Sequence, residues 1–139
     1  MIGHWFRRRT QPAHLRTGEW GERVASRYLR RQGYKVLRQR RRVGRAEIDL
    51  IVRRKSLLVF VEVKTRASEV MGRPLAAVDR KKQRLLAIAA LRYMRRLRVK
   101  PALFRFDVIE VIGTEDAGRP EIRHIENAFN LPPGYRVPW

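Results

Sequence analysis

Apolar residues recur along this chain with two different periods, and the periods divide it into elements. Trp20, Val24, Ala25, Tyr28 and Leu29 fall at helical spacing, with Thr17 ahead of them as an N-cap and Gly33 after them as a stop. The pattern predicts a helix over about 18–32. A short strand at 34–37 follows, and the Arg-rich stretch 38–45 is too charged for core and reads as a connection. Residues 46–52 and 57–65 read as two strands joined by the polar turn Arg53-Arg54-Lys55-Ser56, an antiparallel hairpin. The second of these strands is central, because residues 57–61 are apolar on both faces. Val78, Leu85, Leu86, Ala89, Ala90, Tyr93, Met94 and Leu97 give the apolar side of a long amphipathic helix over about 76–98. A strand at 103–112, a glycine-containing turn and a further strand near 122–125 complete the order.

Two helices and five strands in this order predict an α/β fold, a single domain with a central mixed sheet flanked by helices. The expected organisation is a basic flexible arm at 1–16, the domain at 17–129 and a tail at 130–139 that contains three prolines. A length of 139 residues suffices for a core without disulfides, and the chain contains no cysteine, which excludes cysteine-based zinc sites and nucleophiles. The longest apolar run is far too short to span a bilayer, and the N-terminus lacks a signal peptide's apolar stretch. A soluble, cytoplasmic protein without a membrane partner is expected.

Charge changes the picture most. Thirty-three Lys and Arg against 13 Asp and Glu give +20, with 14 basic and 2 acidic residues in 1–45, 15 and 5 in 46–100, and 4 and 6 in 101–139. Such a field attracts polyanions, since each neutralised phosphate releases condensed counterions. Nucleic acid is the expected partner. The preponderance of arginine suits bidentate phosphate contacts.

Against this background the acids in the hairpin stand out. Period-two geometry puts Glu47, Asp49 and Ile51 on one face of the first strand, and Leu58, Phe60, Glu62 and Lys64 on one face of the second. If Val52 pairs with Leu57, Asp49 lies opposite Phe60 and diagonal to Glu62, within side-chain reach. Ionised groups in a central strand are costly unless paired or metal-bound. A Glu62–Lys64 surface pair at a frayed strand end would explain two of them, but Asp49 beside them favours a hard cation such as Mg²⁺, held by oxygen ligands and completed by water and phosphate. Glu22 lies on the side of the first helix shared by Ala25 and Leu29. It either faces this site or merely favours the positive N-terminal end of its helix.

The blocks Gly18-Glu19-Trp20-Gly21-Glu22-Arg23-Val24-Ala25, Ala46-Glu47-Ile48-Asp49-Leu50-Ile51, Val59-Phe60-Val61-Glu62-Val63-Lys64-Thr65-Arg66, Arg105-Phe106-Asp107-Val108 and His124-Ile125-Glu126-Asn127-Ala128-Phe129 resemble the YraN-like family of bacterial proteins. The resemblance runs from Gly18 to Phe129 in the family's order and spacing. It implies the restriction-endonuclease-like, PD-(D/E)XK superfamily, closest to archaeal Holliday-junction resolvases. It further implies Asp49 and Glu62 as metal ligands for Mg²⁺ or Mn²⁺, Lys64 as the catalytic lysine and Glu22 as an auxiliary helix acid, with Glu47 a weaker candidate. Such resolvases act as dimers, so a homodimer enters by family analogy. Two positions depart from the family pattern, which has Gly where Ala46 stands and Asn where Arg40 stands.

For nucleic-acid binding the candidates are Arg40, Arg41 and Arg42 upstream of the hairpin, and Lys81, Lys82 and Gln83 at the start of the second helix. Asp107 suits a structural role, holding an arginine. Trp20 suits the core, and His4, His14 and His124 lack metal-ligand spacing. The expected function is a metal-dependent endonuclease hydrolysing phosphodiester bonds in DNA, which is favoured over RNA, in branched or single-stranded substrates. The alternatives are a non-catalytic DNA- or RNA-binding module that retains the fold, and a basic assembly factor.

Overall fold

A computed structural model describes residues 13–68 and 78–139, with side chains from residue 16 onward. Helix α1 (Ala13–Arg31) leads into strands β1 (Lys35–Val43), β2 (Ala46–Arg54) and β3 (Leu57–Arg66), then helix α2 (Arg80–Arg95), β4 (Leu103–Ile112) and β5 (Glu121–Phe129). The five strands form one sheet in the order β1-β2-β3-β4-β5. Only β3 and β4 run parallel, and α2 lies between them in sequence; the other three pairings are antiparallel. The sheet is thus mixed and the α/β expectation holds.

The alternation in β3 explains why the sheet carries a helix on each face. Val59 and Val61 pack with Trp20, Ala25 and Leu29 of α1, whereas Leu58 and Phe60 pack with Leu86, Ala89, Ala90 and Met94 of α2. On β4, Ile109 and Val111 join the α1 side, while Phe106 and Val108 join the α2 side. Each of these residues is at most 8% exposed, so both layers are dry. Trp20 lies in the core as expected.

Several boundaries differ from those read in the sequence. Helix α1 opens at Ala13, so Thr17 lies inside it rather than capping it. The basic arm assigned to 1–16 is therefore helical at 13–16, and residues 1–12 lie outside the described residues. At its other end the helix stops where expected. Gly33, at φ 89°, lets Tyr34 donate to the Leu29 carbonyl and Gly33 to the Arg30 carbonyl, both at 3.0 Å. The Arg-rich stretch 38–45 is a correction: all but its last two residues belong to β1. An edge strand has a neighbour on one side only and tolerates exposed charge, which discourages pairing with other chains. The second helix begins at Arg80, not near 76, because Asp79 caps it by accepting from the Lys82 N–H at 2.8 Å. Residues 76 and 77 lie outside the described residues. The last strand is longer than expected and runs from Glu121 to Phe129.

The hairpin forms, but in another register. Only Lys55 and Ser56 turn the chain, with Lys55 at φ 56°, so Arg54 pairs with Leu57 and Val52 with Val59. That shift of two residues puts Leu50 across from Val61, with Asp49 one step beyond.

Candidate metal centre

The site is built where β2 loses its regular pleat. Ala46, Ile48 and Ile51 belong to the α2-side core, while Leu50 and Val52 belong to the α1 side. Ile48 and Ile51 are three positions apart, and strict alternation would place them on opposite faces. The phase therefore slips across Asp49, and Glu47 and Ile51 do not share a face as period-two spacing predicted. The β2–β3 pairing ends at Leu50 and Val61. Just past it, the Asp49 carboxylate takes the place of a backbone acceptor: its Oδ2 receives the Val63 N–H at 2.8 Å.

Acids approach Asp49 from both faces of the sheet. Glu22 of α1 and Glu47 of β2 each bring a carboxylate oxygen within 4.8 Å of an Asp49 oxygen and of each other. Helix α1 can lie this close because Gly21 has no side chain; a Cβ there would sit 1.9 Å from the Thr65 hydroxyl oxygen. Glu22 is far beyond the first turn of a helix that starts at Ala13, so the helix dipole does not account for it. From the α2 side Glu62, 7% exposed, shares a cleft of about 430 Å³ with Glu47, Asp49, Asp79, Arg45, Lys81 and Lys82. Burial, then the charge of Glu62, pushes the Asp49 carboxyl up to about 8, although the Val63 N–H pulls the other way.

Basic side chains hold two of these acids. Lys82 Nζ contacts Glu62 Oε1, and this pairing raises the ammonium's pKa against the opposing effect of its burial. Arg40 donates Nε to Glu22 Oε2 at 2.5 Å and an Nη to Glu19 Oε1 at 3.0 Å. Among the candidates read from sequence, Lys81 and Lys82 line the cleft, while Gln83 turns away and donates to the Val78 carbonyl at 2.7 Å. Arg41 and Arg42 are exposed on β1. Lys64 lies two residues beyond Glu62 on β3, half-buried and in register with Glu110 of β4. That glutamate is a buried acid the sequence reading passed over; it pairs with Arg66 at 3.1 Å. Arg45, which also lines the cleft, was missed, and its adjacency to Ala46 and Glu47 at the turn was the available signal.

All the candidate ligand atoms are carboxylate oxygens, the donor type that hard divalent cations take. Glu22, Glu47 and Asp49 form an acidic cluster that could hold a divalent cation, and Glu62, paired with Lys82, stands outside it.

Residues 21–111 match UPF0102, described as an uncharacterised protein family, a span that includes Glu22, Glu47, Asp49 and Glu62. A UPF0102 protein of Pelobacter propionicus is 42% identical over 123 residues, covering 87% of each chain. Another, from Symbiobacterium thermophilum, is 45% identical over 115 residues, covering 83% of this chain and 97% of its own. The chain belongs to the UPF0102 family. This is the YraN-like family that its motifs resemble. Among solved structures, Pyrococcus furiosus SfsA in complex with Ca²⁺ is similar at a TM-score of 0.38 and 13% identity, over 81% of this chain and 63% of that one. So distant a likeness carries no argument.

This UPF0102 chain contains a second carboxylate centre, on β4. Asp107 accepts from Arg105 Nε at 2.8 Å and Arg105 Nη at 3.1 Å, and from the Asn127 N–H at 3.0 Å; the His124 Nε2 lies 2.7 Å away. Arg105 also donates to the Tyr34 hydroxyl at 2.7 Å, and the Tyr28 hydroxyl lies 3.1 Å from His124 Nδ1. Burial alone would raise Asp107, but the bonds from His124, Arg105 and Asn127 outweigh it and hold the carboxyl below its ordinary range. The structural role read for Asp107 and its arginine stands, and His124 belongs to the same network. Among the described residues no helix is long and apolar enough to cross a membrane.

Proposed function

We propose that this protein is a metal-dependent nuclease that hydrolyses phosphodiester bonds, with DNA favoured over RNA, as in the restriction-endonuclease-like superfamily that its motifs resemble. The observation that carries this is the cluster of Glu22, Glu47 and Asp49, whose Glu47 and Asp49 line, with Glu62, a cleft edged by Arg45, Lys81 and Lys82, in a chain of net charge +20. Acids at the centre of so basic a protein would repel a nucleic acid, so they need a task that requires negative charge. Holding a cation against a phosphate is such a task.

In this reading Asp49 and Glu62 hold Mg²⁺ or Mn²⁺, with Glu22 and Glu47 completing or adjusting the oxygen set. A cation held there supplies Lewis acidity for an in-line phosphodiester displacement. The Val63 N–H fixes one Asp49 oxygen and so orients the carboxylate. Lys81 and Lys82, in the first turn of α2, present positive charge to the scissile phosphate from the opposite rim of the cleft. Lys64 positions the attacking water. The basic residues of β1, Arg41 and Arg42, follow the backbone further from the cleft. A second reading is a nucleic-acid-binding module that retains the fold, favoured by the fact that Glu22 and Glu62 already have cationic partners in Arg40 and Lys82.

The test is incubation of the purified protein with duplex, single-stranded, flap and four-way DNA and with RNA, in Mg²⁺, Mn²⁺ or chelator, for wild type, Asp49→Asn, Glu62→Gln and Lys64→Ala. The nuclease reading expects cleavage in metal only, falling by about 100-fold or more in each variant, since a metal's or donor's electrostatic contribution is of this size. Turnover that persists in all three variants would refute the assignment of the site.

A further inference from the structure

We propose that Arg40 is a displaceable internal counter-ion that couples cation binding to nucleic-acid binding. The proposal rests on the cleft being a metal centre. Arg40 lies across from Asp49, between the pairs Gln39–Leu50 and Arg41–Ile48. Its φ of 48° is in the left-handed region that side chains other than Asn, Asp and Gly seldom adopt. The irregular backbone sends this side chain over to α1 while its neighbours Arg41 and Arg42 stay exposed on β1.

The contact that results joins the site to the surface. Arg40 Nε occupies Glu22 Oε2 at 2.5 Å, and Glu22 is one of the three carboxylates that converge within 4.8 Å. A guanidinium there neutralises charge that would draw a cation and engages an oxygen that could ligate one. Yet the Arg40 side chain is 43% exposed, and its other partner, Glu19, lies outside the cluster. An ion pair this open to solvent is weak and exchanges readily for another anion. Phosphate is such an anion, and a guanidinium binds it in the same forked manner as it binds carboxylate.

A nucleic-acid backbone arriving along β1 therefore takes Arg40 from Glu22, and the released carboxylate strengthens the cation site. By linkage the reverse holds equally: a bound cation frees Arg40 for phosphate and raises nucleic-acid affinity. Without substrate the arginine keeps the cation site weak.

The experiment is a Mn²⁺ titration followed by the loss of the free ion's electron paramagnetic resonance signal. It is run with and without a phosphorothioate oligonucleotide that resists cleavage, on wild type, Arg40→Asn, Arg42→Gln and Asp49→Asn. Asparagine suits the positive φ, and Arg42→Gln removes the same charge without touching Glu22. Without oligonucleotide, Arg40→Asn is expected to bind Mn²⁺ about two- to fivefold more tightly than Arg42→Gln, and the gain on adding oligonucleotide to shrink by a similar factor. Equal Mn²⁺ affinity in Arg40→Asn and Arg42→Gln would overturn the counter-ion role, as would an undiminished oligonucleotide effect in Arg40→Asn. Asp49→Asn reports separately on the underlying reading: it should lose Mn²⁺ affinity by more than about tenfold. If it keeps wild-type affinity, the metal centre itself is misassigned.

Discussion

Asp49 and Asp107 are both carboxylates set into the sheet of one small domain, and they have opposite fates. Asp107 has a bidentate arginine, a histidine and a backbone N–H around it, and its carboxyl is held below the ordinary range despite burial. Asp49 receives one backbone N–H, faces Glu62, Glu22 and Glu47, and is pushed up to about 8. The first arrangement is complete without any further ion, and it ties β5 and α1 to β4 through His124, Asn127 and Tyr28. The second raises its carboxyl through burial first and then through the charge of the acids beside it. A buried acid whose partners are all supplied by the chain reads as structure, and one whose partners are other acids reads as a site.

The comparison breaks most visibly at Asp107. Replacing it by alanine leaves Arg105 facing a buried void and removes the anchor of β5, and should cost about 3–5 kcal/mol, the range for stranding one member of a buried ion pair. Urea unfolding measures this, and a loss below about 1 kcal/mol would show that the network is not what holds β5.

An effect of opposite sign is expected at Asp49. Its folded-state carboxyl is raised from 3.8 to about 8, so the folded state binds the extra proton and is favoured at low pH. Stability from this group is complete below about pH 4 and lost as pH rises toward 8. The lowered Asp107 carboxyl works in the opposite sense: its contribution is present above the ordinary carboxylate range and lost as pH falls below it. In chelator, Asp49→Asn should therefore be more stable than wild type at pH 8, and the gap should close toward pH 4. Thermal melts across pH 4–8 would show a constant gap if Asp49 titrated normally.

The same contrast explains what the sequence made legible. Glu62 following five apolar residues, with Asp49 on the preceding strand, was visible because charge in a central strand violates its own pattern. The stop at Gly33, the central position of β3 and the limits of β4 followed from local chemistry in the same way. Arg38 to Val43 was misread because on an edge strand exposed charge and regular pairing coexist, and no local rule separates that from a loop. The hairpin register depended on Lys55 adopting a positive φ, a conformation its residue type does not announce. Neither the Arg40–Glu22 nor the Lys82–Glu62 contact could be read from spacing, since each joins elements about twenty residues apart that only the packed fold brings together. Phase slippage at Asp49 likewise appears only when the helices on the two faces show which core each neighbour enters.

The central claim is that Asp49 sits in a carboxylate cluster built to hold a cation. The direct measurement is its carboxyl titration by carbon-13 NMR, with the resonance assigned from Asp49→Asn, in chelator and again in saturating Mg²⁺. A midpoint near 8 in chelator, falling by several units when Mg²⁺ is added, is the predicted result. A midpoint near 4 in chelator, or one that Mg²⁺ leaves unchanged, would contradict the claim.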